Sequence, residues 1–398
     1  MNVAHVITRL IVGGAQENTL LTCEEQHRAY GDRVALITGP PLGPEGSLLE
    51  RAQAAGFKVI VVDELRRSIH PWRDWRAWRR LASELAALRP DIVHTHSSKA
   101  GILGRAAAER VGLPAVHTIH GAAFHYGQSR LAYEAFRRAE RWAARRTAHF
   151  ISVADAMTSE YATAGVAAPE RFTTVYSGFD VEPFLNPPAP PIDVRRGWGI
   201  RDGELVVGKI ARLFPLKGHD ELLRAAPEIV RRCPNVRFVL VGDGILRQSL
   251  EREIAALGLT DRFHFTGLVR PEQIPGLIPG MDVVVHASQW EGLARVLPQA
   301  LIAGRPVVSF DVGGAREVVL PGVTGELAPL NDAAGLAEGV LRLLGDADLR
   351  TRLGEEGRRR FTDTFRYQTM TRRIREIHAN VLEGRRTAPG EHPADRAG

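Results

Sequence analysis

Arg212 and Lys217, with Glu291 much further along, are the residues of this chain whose types and spacing could do chemistry. Each follows a short apolar run, 205–211 for the cations and 282–286 for the acid. In an open parallel α/β sheet, ligands gather beyond the carboxyl ends of such strands. An arginine grips phosphate oxygens as a planar fork, and a lysine adds a compact point charge. That pair suits a diphosphate. A carboxylate at Glu291 would repel phosphate but would accept hydrogen bonds from sugar hydroxyls. Gly292 allows a tight turn. The N–H groups of Leu293, Ala294 and Arg295 are expected to open a helix whose positive end faces phosphate. Gln299 stands eight residues after Glu291, and its amide both accepts and donates. Gly313-Gly314 and Glu317 follow a third run, where Glu317 would serve equally well as a complement to a helix dipole. Taken singly, each of these is also what a solvated turn looks like. Together they read as a site for a nucleoside-diphosphate sugar.

The first half offers two more candidates. Gly13-Gly14 lies between the first apolar run and a helical stretch, where glycine lets a ligand approach backbone. It is not Gly-x-Gly-x-x-Gly, so the dinucleotide fingerprint is missing. His120-Gly121 ends the run Ala115–Ile119, and a histidine there suits hydrogen bonding or proton transfer near neutral pH. Nine histidines fall in this half, and none shows metal-ligand spacing. No metal or other cofactor is expected. Asp346-Ala347-Asp348 reads as solvated surface.

Positioning these residues requires two sheets. Apolar strands are predicted at 3–7, 34–37, 59–62, 91–94, 115–119, 149–153 and 173–176, then at 205–211, 236–241, 263–265, 282–286, 306–310 and 325–328, with helical stretches between most of them. Such alternation means βαβ units and parallel sheets. Four prolines in 186–191 break the pattern. The expected division is therefore an N-terminal domain 1–185, a linker 186–200, a C-terminal domain 201–366, a helix 367–383 and a disordered tail 384–398.

Arg212-x4-Lys217-Gly218 and Glu291, with its partner position eight residues on, resemble the phosphate-binding pair and the Glu-x7-Glu motif of the family 4 retaining glycosyltransferases, the group 1 type. The second acid of that motif falls on Gln299 here. The resemblance covers roughly residues 1–380 and is stronger in the second half. It implies the GT-B fold: two Rossmann-like, doubly wound parallel-sheet domains facing across a cleft, with the helix 367–383 crossing back to the first. It further implies a metal-independent hexosyltransferase that retains anomeric configuration. The donor, with a UDP-sugar favoured, would contact Gly13, Gly14, Arg212, Lys217, Glu291 to Arg295 and Gln299. Chemistry would involve His120, Glu291, Arg212 and Lys217. The acceptor hydroxyl would belong to a glycan or lipid-linked molecule, as in cell-envelope polysaccharide or glycolipid synthesis. A sugar-nucleotide epimerase and a weakened nucleotide-sugar-binding protein are the alternatives.

Composition is that of a globular protein, 44% hydrophobic and 25% charged in 398 residues. No apolar run approaches the ~20 residues that span a bilayer. Cys23 and Cys233 read as reduced thiols. A cytoplasmic location follows as an expectation. The net charge of +6 is uneven. Residues 66–80 hold six Arg against one Asp, and residues 130–146 six Arg against two Glu. Both stretches also carry apolar residues at helical spacing, including Trp72, Trp75 and Trp78, expected to face the core. A basic and an apolar face would also suit an anionic membrane at its inner face. No recognition helix or stacking platform points to nucleic acid.

Overall fold

The computed structural model describes residues 1–43, 46–124, 127–188 and 190–387. All thirteen predicted strands form: β1 Asn2–Ile7, β2 Arg33–Thr38, β3 Lys58–Val61, β4 Ile92–His96, β5 Ala115–Ile119, β6 His149–Ser152, β7 Phe172–Thr174, β8 Leu205–Ile210, β9 Val236–Val241, β10 Phe263–Gly267, β11 Val283–His286, β12 Val307–Phe310 and β13 Gly325–Ala328. They make a seven-stranded sheet of order β3-β2-β1-β4-β5-β6-β7 and a six-stranded sheet of order β10-β9-β8-β11-β12-β13. Each strand pairs in parallel with its neighbours, as βαβ connections require. Both sheets reverse direction of winding beside their first strand, between β1 and β4 and between β8 and β11. This is the doubly wound Rossmann arrangement, whose reversal point is where ligands bind.

The chain divides into two compact units, Met1–Phe179 with the chain from Tyr367 onward, and Asp180–Arg366. The division falls before the prolines. Residues predicted as linker instead build onto the second unit, where the helix Pro191–Gly197 anchors through Arg195, which donates to the Gly280 carbonyl at 3.0 Å and pairs with Asp282 at 2.7 Å. Proline at the first turn of a helix forfeits no bond, so the proline run starts a helix rather than only preventing one. In the first unit, the long helix Tyr367–Thr387 supplies Met370, Ile374 and Ile377 to a core that includes Val3, Ile92, Val116 and Ile151. It runs four residues beyond its predicted end. Residues 388–398 of the predicted tail lie outside the described residues.

The second unit's core packs the helices His219–Arg232 and Ala333–Leu344 on its sheet through Leu222, Ala226, Ile229, Leu336, Val340 and Leu343. A helix not predicted, Ala347–Phe361, follows. Asp346 caps it by accepting from the Leu349 N–H at 2.8 Å, so Asp346-Ala347-Asp348 is a helix start.

The tryptophans of the helix Pro71–Leu88 do not all face inward. Its buried residues are Ala77, Leu81, Ala82 and Leu85. Trp72 is 64% exposed and Trp75 40% exposed, because they occupy the first turns, ahead of the stretch that reaches the sheet. Their rings stack 4.8 Å apart. Only Trp78 of the three packs partly against the core.

Candidate active site

The loop after β8 is built to carry cations. His219 donates from Nε2 to the Arg212 carbonyl at 2.9 Å and fixes the loop's exit into the helix His219–Arg232. Gly218 sits at φ 63°, and a Cβ there would run into the Ala287 carbonyl at the end of β11. Only glycine permits this approach, which presses the β8 loop against the β11 loop. Lys217 thereby meets Glu291 in an ion pair. Arg212 stays exposed, its guanidinium 5.1 Å from the Phe214 ring centre. A third loop joins through Gly313, at φ 50°, where a Cβ would strike the Glu291 and Gly292 carbonyls. The Gly314 N–H then donates to the Gly292 carbonyl at 2.6 Å. Two glycines thus hold the ends of β8, β11 and β12 together at the reversal point.

Electrostatics concentrate there. Burial raises the Glu291 carboxyl, but His286 and the Lys217 ammonium outweigh it and hold the group down at about 2. His286 Nε2 lies 3.9 Å from Glu291 Oε1, while its Nδ1 shares a 3.1 Å hydrogen bond with Ser309 Oγ. Beneath them Lys209, on β8, is 1% exposed. Burial and the neighbouring Lys217 push its ammonium down to about 7, against the pull of Glu291 and Asp220. Burial, with Lys209 adding to it, depresses His219 to about 4. The site therefore offers one ionised carboxylate, an exposed guanidinium and two lysines.

Leu293, Ala294 and Arg295 are placed differently from expectation, whereas Gln299 and Glu317 lie on helices as expected. The helix after Glu291 begins at Val296, so Leu293, Ala294 and Arg295 form the turn before it and not its first turn. Gly313 and Gly314, in the loop after β12, contact the Glu291 and Gly292 carbonyls just before that turn, and the helix starts beyond it. Gln299 is half-buried within the helix, and its N–H donates to the Arg295 carbonyl at 3.1 Å. Glu317 is half-buried in the short helix Ala315–Val318.

In the first unit, Gly13 and Gly14 begin the helix Gly14–Tyr30 after β1, with Gly14 exposed. His120 follows β5 and is half-buried. Both therefore stand beyond carboxyl ends of the same sheet. His120 does not act alone. Its Nε2 lies 3.1 Å from His96 Nδ1, and His96 Nε2 lies 3.0 Å from His5 Nδ1. Sequence spacing concealed this cluster, because β1 and β4 lie far apart in the chain and adjacent in the sheet. Nitrogens of the buried His5, His94 and His96 lie within 4.8 Å of one another, a set that could hold a metal ion.

Comparison with known proteins shows the family and the fold. The family described as "Glycosyl transferases group 1" matches residues 192–360. A "Glycosyl transferase 4-like domain" matches residues 13–178. The D-inositol 3-phosphate glycosyltransferase of Nocardia farcinica is 32% identical over 323 residues, spanning 78% of this chain and 70% of that protein. The chain belongs to the group 1 glycosyl transferases. This glycosyl transferase is also 27% identical over 390 residues to the UDP-Gal:α-D-GlcNAc-diphosphoundecaprenol α-1,3-galactosyltransferase of Escherichia coli, covering 96% of this chain and 97% of that one. Its fold matches HepE of Anabaena, solved in complex with UDP, at a TM-score of 0.82 and 23% identity over 96% of this chain and 100% of that chain.

In this group 1 glycosyl transferase Lys209, His219 and His286 join the site through contacts that sequence spacing does not show. Lys209 carried a signal: a lysine inside an apolar strand must find charge partners when buried. His286 carried none, since a histidine ending a strand is common.

Proposed function

We propose that this glycosyl transferase moves a sugar from a nucleoside-diphosphate sugar, with a UDP-sugar favoured, to a hydroxyl of a glycan or lipid-linked acceptor, retaining the anomeric configuration and using no metal. The observation that carries the reading is the convergence of Arg212, Lys217 and Glu291 on the reversal point of the second sheet. Arg212 and Lys217 would stabilise the charge growing on the departing diphosphate, the role electrostatic preorganisation plays most effectively. Lys217 would then be shared between phosphate and Glu291. Glu291, kept ionised, would accept from hydroxyls of the donor sugar and orient it. Gly292 to Arg295 offer backbone N–H groups in the adjoining turn, and Gln299 would bind the ribose through its amide. In the first unit, Gly13 and Gly14 would let ligand approach backbone, and His120 would hydrogen-bond a reacting sugar. The relatives named above are transferases, one with a UDP-sugar donor and a lipid diphosphate acceptor, which favours transfer over epimerisation.

A surface of the first unit supports contact with an anionic membrane. Ile69, Trp72, Trp75, Leu131 and Trp142 are exposed among the arginines of 66–80 and 130–146. Exposed tryptophan with arginine is the composition of an interfacial anchor. No helix among the described residues is long and apolar enough to cross a membrane.

The test is transfer itself. Radiolabelled UDP-glucose or UDP-galactose is incubated with GlcNAc-diphosphoundecaprenol or with bacterial envelope lipids. Label entering the lipid fraction with wild type, and not with Glu291→Gln, supports the reading. Release of free epimerised sugar, or no turnover of any nucleotide sugar, would overturn it.

A further inference from the structure

Five histidines of the first unit, His5, His94, His96, His120 and His378, lie on one continuous hydrogen-bonded path. It runs from His120 to His96 at 3.1 Å, to His5 at 3.0 Å, and to Gln26 Oε1 at 2.8 Å. From Gln26 Nε2 it continues to His378 Nδ1 at 3.4 Å, from His378 Nε2 to His94 Nδ1 at 3.1 Å, and from His94 Nε2 to Thr118 Oγ1 at 2.7 Å. Six of the seven side chains are at most 1% exposed. His120 alone reaches the surface, and among the described residues its only hydrogen bond is the one through Nε2.

A neutral imidazole has one donor and one acceptor, so each bond in such a path fixes the next. These rings are held neutral by burial. Gln26 is the joint that sets direction, because its oxygen only accepts and its nitrogen only donates. In the structure the 2.8 Å contact is made by the amide oxygen and the 3.4 Å contact by the amide nitrogen. His5 must then donate from Nε2 to Gln26, leaving its Nδ1 to accept from His96 Nε2. His96 Nδ1 accepts in turn from His120 Nε2. On the other arm, Gln26 donates to His378 Nδ1, His378 Nε2 to His94 Nδ1, and His94 Nε2 to Thr118. Every ring carries its proton on Nε2.

We infer that this path is a tautomer-setting relay: His96, His5 and Gln26 are positioning residues that hold His120 as the Nε2–H imidazole and present its bare Nδ1 as a hydrogen-bond acceptor. His120 therefore selects a ligand group that donates, a sugar hydroxyl, and rejects a carbonyl or carboxylate in that place. The relay ties this selection to the helix Tyr367–Thr387, since His378 lies on it three residues beyond Arg375, itself paired with Asp32 at 2.8 Å. The inference rests on the reading that His120 touches a reacting sugar.

The test is long-range proton–nitrogen NMR on the full chain with labelled histidine and no sugar present. All five rings should show Nε2–H in wild type. In Gln26→Glu with the carboxyl ionised, both oxygens accept, so His378 and His94 should switch to Nδ1–H, with Thr118 donating, while His5, His96 and His120 keep Nε2–H. Nδ1–H at any of the five rings in wild type would overturn the relay. So would a Gln26→Glu variant that folds with its carboxyl ionised, read from the carboxyl carbon shift, and His378 unswitched, or a stoichiometric zinc ion retained by the purified chain and occupying the ring nitrogens. The wild-type spectrum decides even if the variant does not fold. If His120→Ala transfers sugar at the wild-type rate while the wild-type tautomers are as expected, the catalytic reading fails and the relay stands.

Discussion

Lowering the pH from 7 to 5 should unfold the first unit, and the size of the effect follows from its buried histidines. Burial holds His5 down at about 4, and His120 and His378 at about 3, against an ordinary 6.5. His94, His96 and His117 are lowered by the same cause. The folded state therefore binds fewer protons than the unfolded chain wherever the pH is below 6.5. Stability is intact above 6.5 and is lost as pH falls, until the folded rings themselves titrate. At pH 5 each of the three rings with a stated value costs about 2 kcal/mol, or about 6 kcal/mol together. That is comparable with the whole stability of a typical domain, about 5–15 kcal/mol. Urea unfolding followed by tryptophan fluorescence at half-unit pH steps gives the slope. Three protons taken up on unfolding predict a fall of about 4 kcal/mol per pH unit between pH 6 and 5. Glu291 contributes in a different window, below its unfolded value of 4.5, and in the other unit. A slope below about 1.4 kcal/mol per unit, less than one proton, would mean that these rings are not buried neutral in the folded state.

Four further outcomes are expected. Gly218→Ala should lower the second unit's stability by about 2 kcal/mol or more and abolish nucleotide binding, because its left-handed backbone and the Ala287 carbonyl both oppose a Cβ; calorimetry of the variant checks it. Glu140→Ala should cost about 3–5 kcal/mol in chemical unfolding, since it leaves Arg105 buried without the carboxylate now 2.8 Å away. Asp346→Ala should cost about 1 kcal/mol through loss of the cap on Ala347–Phe361. Trp72→Ala with Trp75→Ala should weaken sedimentation with phosphatidylglycerol vesicles while leaving the melting temperature nearly unchanged, since both rings are exposed; unchanged vesicle binding would remove these residues from any membrane role.

The fold was legible because its signals are local. Each strand is a short apolar run, and β9, Val236–Val241, coincides with its predicted bounds. Arg212, Lys217 and Glu291 could be found because charged residues directly past apolar runs stand out. What escaped depends on contacts between distant segments. Nothing near Trp72 tells how far the sheet extends beneath its helix. Nothing near His5 says that β4 will lie beside it and bring His94 and His96. Nothing near Glu291 says that Gly313, from another strand's loop, will press against its carbonyl just ahead of the helix that starts at Val296. Proline misled at 186–191, where it ends one element and begins the next.

Calorimetric titration of UDP into wild type, Arg212→Ala and Lys217→Ala tests the central claim most directly. Wild type should bind UDP at a single site. Each variant should lose about tenfold to a hundredfold in affinity, the worth of one charge-assisted contact to phosphate. Equal affinity in all three proteins would contradict the assignment of the diphosphate to the loop after β8.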